Sequence, residues 1–530
     1  MAQTTDATLS LRPLSLLRIV KNVPPNTTTR RRSRVTTIVL AAVASALLAP
    51  AAATASSTQL SILQDDGTFL GHNGRDSEQA MAEAKALGAD AIRIFMSWHS
   101  VSPNQNSRRR PAGFDVGDPD DPGYEWGVYD AVVDRARRHG LKLLITLSPP
   151  LPYWASEEPS RCPHRIGGYS YQPLSCMWKP PPKLFGEWVK AVALRYGTRA
   201  EGPFGGQVAL WSLWNEPNLE HYLYPQLRRT RRGTVDLAAA RYRRMWIEGQ
   251  RAIARYDPPS ARKVLFGETA AISSPLDTLN AALCLDEDGR PFKGWMRAQH
   301  GCGKPRRLPI AGLAVHPYNN FAIGSVYTRS YTKDSLPMAY VSRAHRLLDR
   351  AARYGRIPHH RPIYVTEFGF ESSPPNPFGD GLSLGRHATA INEAERLFFG
   401  DPRIRSTAQY ELFDVPDDGQ FNTGLRLNDG DPKPAWAAYR MPLVVTKLSR
   451  SLVEVWGQVR PAEGRVRVEV KASGARVGRP LTNAAGYYRF KVRRTGAARL
   501  RYRAEWTSPD TDETMRSRVA SAGRPIAYHE

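Results

Sequence analysis

The chain has 530 residues, 41% of them hydrophobic and 23% charged, which is ordinary for globular proteins and enough to bury a large core in more than one domain. Its formal net charge is +24, but the arginines are dispersed and no nucleic-acid motif occurs, so nucleic acid is not an expected partner. The basic excess suits an acidic polysaccharide or an anionic cell surface; an Arg-rich surface without such a partner explains it equally well.

Residues 1–55 read as a leader. "TTTRRRSR" precedes "VTTIVLAAVASALLAPAAATAS", a basic segment, an apolar segment and small residues ending at Ala53-Thr54-Ala55. That order predicts a secretory signal cut near Ala55. The apolar run is short for a membrane span, so the mature chain is expected outside the cell, free or on its surface, and not in the membrane; an uncleaved anchor is the alternative. The leader carries seven Lys/Arg and one Asp, leaving +18 on the rest.

From Leu60 short apolar runs alternate with helical patterns. The predicted strands are "LSIL" at 60, "AIRIFMSW" at 91, "LKLLITLS" at 141 and "VALWSLW" at 208. "KVLFGE" at 263, "GLAVHPY" at 312, "IYVTEFG" at 363 and "AQYELF" at 408 complete them. Eight apolar strands separated by helices indicate a parallel sheet buried on both faces. Eight units close a (β/α)8 TIM barrel, assigned to 56–442 in an α/β chain. The surplus length, around 103–124, 152–180 and 273–308, follows strands and so builds one rim. An open doubly wound sheet is the alternative, but no Gly-rich phosphate turn follows the first strand.

Four cysteines suit an exported protein and allow three pairings. Cys162 with Cys176 and Cys284 with Cys302 would each close one long loop and are the favoured pairs. No CxxC or His cluster argues for a metal, and no cofactor is expected. Residues 443–510 alternate between apolar and polar around Gly, Pro and Asn turns, predicting a small antiparallel β-sandwich. "LTNAAGYYRFKV" there resembles a turn of transthyretin-like modules, with packing on the barrel or carbohydrate binding as its task. Residues 511–530 are expected as a tail, in part disordered.

In such a barrel reactive side chains gather at the C-terminal strand ends. Glu216 ends the fourth strand and Glu367 the seventh, on opposite sides of the mouth. Two carboxyl groups converging on one cleft are what cleavage of a glycosidic bond requires. "LWSLWNEPN" at 210 and "VTEFGF" at 365 on these strands resemble glycoside hydrolase clan A, in the manner of family 39 and the cellulase-like family 5. The resemblance covers the barrel and implies a retaining hydrolase acting on carbohydrate, with Glu216 as acid/base and Glu367 as nucleophile. It implies that Asn215 holds a sugar hydroxyl, that His316 or Tyr318 in "VHPYN" adjoins the nucleophile, and that Arg93 pairs with Glu367.

Trp98, Trp154 and Trp178 are candidate sugar platforms, since sugar C–H faces stack on aromatic rings; loop packing is their alternative. Where the clan ends its eighth strand with tryptophan, this chain offers Tyr410 or Phe413. Glu268, ending the fifth strand in "FGETA", is the rival carboxylate for either role, and Glu411 and Asp414 lie near by. A non-catalytic polysaccharide-binding protein on an inactive barrel and a transglycosidase are the other readings of the same residues.

Overall fold

The computed structural model describes residues 58–163, 175–200, 202–319, 322–330, 332–376, 379–415 and 421–529. The leader expected over 1–55 lies outside them. Eight parallel strands close into a barrel in the order β1-β8-β7-β6-β5-β4-β3-β2. They are β1 Leu60–Gln64, β2 Ala91–Ser97, β3 Lys142–Ser148, β4 Val208–Leu213, β5 Val264–Ala270, β6 Leu313–His316, β7 Ile363–Phe368 and β8 Ile404–Tyr410.

A helix follows each strand: α1 Ser77–Ala86, α2 Gly127–Arg138, α3 Pro182–Tyr196, α4 Leu237–Tyr256, α5 Pro275–Ala282, α6 Ser342–Arg353, α7 Leu384–Phe399 and α8 Pro434–Arg440. The architecture is a (β/α)8 TIM barrel. Strand β8 begins at Ile404, earlier than its predicted start at Ala408, because Arg405 and Ser406 hide the apolar pattern. Ser406 nevertheless pairs with Leu60 of β1. The structure also adds a hairpin after β4, Leu227–Thr230 with Gly233–Asp236. Its first strand is wholly exposed, so no apolar alternation announced it.

The inward row of side chains changes character along the barrel. Ile62, Ala91, Leu144, Leu210, Leu265, Ala314 and Ala408 form an apolar layer across the interior. Strand side chains repeat every two residues, so the next inward positions include Gln64, Arg93, Thr146, Ser212 and His316, all buried. Apolar filling gives way to polar groups at the C-terminal end, and those groups need partners there.

Outside the barrel wall, α3 and α4 bury Trp188 and Trp246, each side chain contributing about 1.5–3 kcal/mol by leaving water. Asp76 and Asp236 cap α1 and α4 by accepting from backbone amides in their first turns. Cys162 is bonded to Cys176 and Cys284 to Cys302, the favoured pairs. Among the described residues, no helix is long and apolar enough to cross a membrane.

The C-terminal strands are β9 Leu443–Lys447, β10 Leu452–Gln458, β11 Glu469–Ala472, β12 Ala475–Gly478, β13 Tyr487–Arg493, β14 Arg501–Thr507, β15 Thr514–Arg516 and β16 Ala520–Gly523. They hydrogen-bond as one sheet, β12-β11-β14-β16-β9-β10-β13, with β15 on β14. Two expectations are corrected here. The sheet is not purely antiparallel, since β9 and β16 run parallel, and the residues after 510 are not merely a tail. "MRSRVASAG" lacks apolar alternation, yet β16 is needed between β9 and β14 to satisfy their ladder groups. Val445, Val455, Val470 and Tyr502 belong to a core of this sheet's own.

The sheet is fastened to the barrel by Arg460. Its Nη2 donates to Glu395 of α7 at 2.6 Å, its Nε to the Ser61 hydroxyl at 2.9 Å and its Nη1 to the Tyr439 carbonyl. Phe399 of α7 packs on Tyr487 with centroids 4.4 Å apart. At Gly88 (φ +83°) a Cβ would lie 2.4 Å from the Arg460 carbonyl carbon, so only glycine permits this approach.

Candidate active site

Glu216 is aimed by a strained turn. Trp214 has φ +97° and Glu216 φ +39°, left-handed conformations that cost about 1–3 kcal/mol each outside glycine. Backbone bonds from Trp214 N to Leu147 O (2.8 Å) and from Glu216 N to Glu268 O (2.9 Å) hold the turn. The buried Trp214 ring anchors it, with Nε1 donating to Tyr222 O at 2.9 Å and an edge contact to Phe185. The second tryptophan of "LWSLWNEPN", Trp214, therefore holds the geometry of the carboxylate that follows it.

Glu268 is aimed by a bulge. The β5–β6 register slips between Gly267 and Thr269. A Cβ on Gly267 (φ +117°) would meet the Ala314 carbonyl oxygen at 2.5 Å. Such a bulge redirects the side chain beside it, here into the barrel.

Arg93, 0% exposed, organises the floor. Nη1 donates to Glu367 Oε1 at 2.5 Å and to Gln64 Oε1; Nη2 donates to Glu268 Oε2 and, at 3.2 Å, to Asn215 Oδ1. Nε donates to Thr146 Oγ1 at 3.1 Å. Burial opposes its charge, but Glu268 and Glu367 outweigh burial and raise the guanidinium above its usual range. Tyr318 Oη donates to Glu367 Oε2 at 3.1 Å.

His316 bridges the acids, with Nδ1 2.8 Å from Glu216 Oε1 and Nε2 2.8 Å from Glu268 Oε2. Burial lowers its proton affinity, but Glu367, Glu216 and Glu268 together lift its pKa to about 10. Glu268 is held at about 2: burial opposes ionisation, and Arg93 and then His316 overcome it. The Glu216 carboxyl is raised by burial, with His316 pulling the other way.

The floor opens into a cleft of ≈ 1430 Å³ whose lining includes Glu216, Tyr222, Tyr318, Glu367, Tyr410 and Phe421. Tyr318, Tyr410 and Phe421 meet edge-on, with centroids 5.9–6.4 Å apart. The lining of the cleft is also acidic, with Glu220, Asp236, Asp277, Asp286 and Glu287 outnumbering Arg290 and Lys293. Glu268 is 0% exposed and lies beneath the cleft rather than on its wall.

Of the residues singled out in the sequence, Glu216, Glu367, Asn215, Arg93, His316, Tyr318 and Tyr410 come together. Two expectations are corrected. Trp98 is fully buried and stacks on Trp188 of α3 at 5.2 Å, in the layer between barrel and helices. Trp154 is 6% exposed, donates to Pro103 O at 3.0 Å and meets Phe114 edge-on, packing loop on loop. Neither lines the cleft. Trp178 also lies off the cleft wall and bonds Glu158, while Phe413 lies under the Arg75 guanidinium. Gln64, Tyr222 and Phe421 were not anticipated. Gln64, a polar residue closing the apolar run "LSILQ", carried the same signal as Glu216; Tyr222 and Phe421 sit in loops without a pattern.

One oxygen or nitrogen from each of Glu216, His316 and Glu367 lies within 4.8 Å of the others, a spacing that could hold a metal ion. In the present geometry His316 is engaged by Glu216 and Glu268, and Glu367 Oε1 accepts from Arg93.

No family model matches the sequence, and no curated protein does. Among solved structures, a glucosidase from Croceicoccus marinus is 12% identical with a TM-score of 0.49, over 83% of this chain and 94% of that one. An exo-β-1,4-mannosidase from an Opitutaceae bacterium is 13% identical with a TM-score of 0.41, over 74% and 61%. A GH5_18 protein from Bifidobacterium longum is 15% identical with a TM-score of 0.40, over 72% and 78%.

Proposed function

We propose that the chain is a secreted retaining glycoside hydrolase in which Glu367 is the nucleophile and Glu216 the general acid/base. The observation that carries this reading is that carboxylate oxygens of Glu216 and Glu367 lie within 4.8 Å of each other at the foot of one cleft. Retaining enzymes set their carboxyl groups about 5–5.5 Å apart, whereas inverting ones leave room for water at about 6.5–9.5 Å.

Environment divides the roles. Glu367 accepts hydrogen bonds from Arg93 and Tyr318, which fix its carboxylate at the foot of the cleft. Glu216 has its pKa raised by burial, which favours the protonated form in the free enzyme. In the first step Glu367 attacks the anomeric carbon while Glu216 gives its proton to the departing glycosidic oxygen. The product is a glycosyl ester on Glu367 and a free alcohol. In the second step Glu216, now a carboxylate, takes a proton from water as that water attacks the same carbon, releasing the sugar and restoring both carboxyl groups. Glu268, buried beneath the cleft and ionised, serves as counter-ion to Arg93 and His316.

The acidic cleft lining favours a neutral or cationic sugar chain over a uronate polymer, because repulsion there would oppose carboxylates. The two disulfides support an oxidising compartment. The C-terminal sheet is assigned a packing role, since Trp456 and Tyr487 are buried around Phe399.

The test is hydrolysis of aryl glycosides and polysaccharides by the wild type and Glu367→Ala, with and without azide. Activity should fall by about 10⁴-fold or more in the variant. Azide should restore it, yielding a glycosyl azide of inverted configuration. Equal turnover by both proteins would remove Glu367 from the reaction.

A further inference from the structure

Beside the cleft, and sharing His300 with it, lies a second concavity of ≈ 570 Å³. Arg243 and Arg244 reach it from α4, Arg228 from the hairpin, Lys304 and Arg306 from the loop before β6, and Arg356 from the end of α6. No carboxylate lines it. Two further cations of the wall, Arg241 and Lys179, have partners in Glu157 and Glu158. Among the described residues, the six named first have no carboxylate within ion-pair distance.

Arg243 is the most telling of them. It is 8% exposed, and its Nη1 lies 2.8 and 3.1 Å from the sulfurs of Cys284 and Cys302. Its Nη2 donates to the His300 carbonyl. These partners position the guanidinium without neutralising it. Burial first, then Arg244 and Arg356, bring its pKa down to about 10. Arg244, an exposed residue, is lowered by desolvation and by Arg241, with Glu157 opposing. Arg356 Nε is buried with no acceptor among the described residues. Cations gathered from four segments into one hollow, and pressing on each other's charge, are stabilised by an anion that enters it.

We propose that this concavity binds an anionic glycan, a sugar chain bearing sulfate, phosphate or carboxylate groups. No Phe, Tyr or Trp lines it, so it lacks the aromatic platforms on which single-stranded nucleic acid usually stacks its bases. Leu237, Leu283 and Leu308 supply apolar strips between the cations. His300, a buried residue, lines both hollows, so a chain bound here would lie beside the cleft. The choice of a glycan rests in that respect on the hydrolase reading, whereas the anion site itself does not.

The test titrates the whole chain with dextran sulfate, polygalacturonate and uncharged dextran, at low and at physiological salt. It compares the wild type with Lys304→Glu/Arg306→Glu, both exposed loop positions, and with Arg244→Glu. A double reversal on the C-terminal sheet, Arg476→Glu/Arg489→Glu, matches the charge change elsewhere. Binding of at least one charged polymer should weaken about tenfold or more in the pocket variants, stay close to wild type in the sheet variant, and be absent for dextran. Turnover of a neutral aryl glycoside, followed in the same proteins, should not change. Failure of turnover with anion binding intact overturns the hydrolase and not the anion site. Equal weakening in the sheet variant would mean diffuse surface charge and overturn the proposal, as would no binding of either charged polymer. Tighter, pocket-dependent binding of an oligonucleotide would replace the glycan by nucleic acid.

Discussion

His316 Nδ1 lies 2.8 Å from Glu216 Oε1, while the opposite ring nitrogen is committed to the buried Glu268. The imidazole is thus held as a cation against the group assigned as acid. Burial raises the Glu216 pKa and His316 limits the rise. Replacing His316 by Gln removes the limit, so the alkaline limb of kcat/KM, which reports the essential acid, should move to higher pH. An unmoved limb would detach Glu216 from the imidazole.

The same histidine makes stability depend on pH. Its pKa rises from 6.5 to about 10 in the folded protein. Its contribution is therefore complete below pH 6.5 and lost as pH climbs through about 10. Glu268 acts in the opposite sense: with its pKa lowered from 4.5 to about 2, its contribution is complete above pH 4.5 and lost as pH falls through about 2. Urea unfolding across the alkaline window should show the wild type losing stability faster than His316→Gln. Parallel curves would refute the cationic imidazole.

Glu216→Gln keeps the shape of the site and removes its proton. Turnover of glycosides with poor leaving groups should drop by about 10²–10⁴-fold. Dinitrophenyl glycosides, whose leaving group departs without a proton, should lose far less in the first step. A uniform loss across leaving groups would point away from acid catalysis by this residue.

Arg93 holds Glu367, Glu268, Gln64 and Asn215 together inside the barrel. Arg93→Gln leaves buried carboxylates without a counter-ion, so chemical denaturation should report a loss of about 3–5 kcal/mol. A loss within the range of a surface substitution would contradict the buried network.

Gly88→Ala tests the seam between barrel and sheet. The added methyl meets the Arg460 backbone in a left-handed conformation, and unfolding should show a cost of about 1–3 kcal/mol. A neutral result would mean that the two surfaces are not in close contact there.

Much of this was legible from local pattern. Most barrel strands are apolar runs buried on both faces, so the eight strands and their alternation with helices could be read, β8 only in its second half. Glu216 and Glu367 stood out because each closes such a run, where a barrel turns its side chains toward the mouth. The disulfide pairs were legible because each closes its own loop.

Other features depended on which surfaces the fold brings together. Trp98 and Trp154 have the same local signal as a sugar platform, and only the packing of Trp188 and Phe114 against them turns them inward. Glu268 looked like a third candidate acid until Arg93 and His316, from two other strands, enclosed it. The unpaired cations of the second concavity come from segments as far apart as Arg228 and Arg356. Strand β16 forms because its neighbours lack partners, not because its own residues favour extension. Sequence alone determined the strand order and the residues at the strand ends, since both follow from periodicity along the chain. Tertiary structure decided exposure, charge pairing and proton affinity, because these depend on groups that only folding makes neighbours.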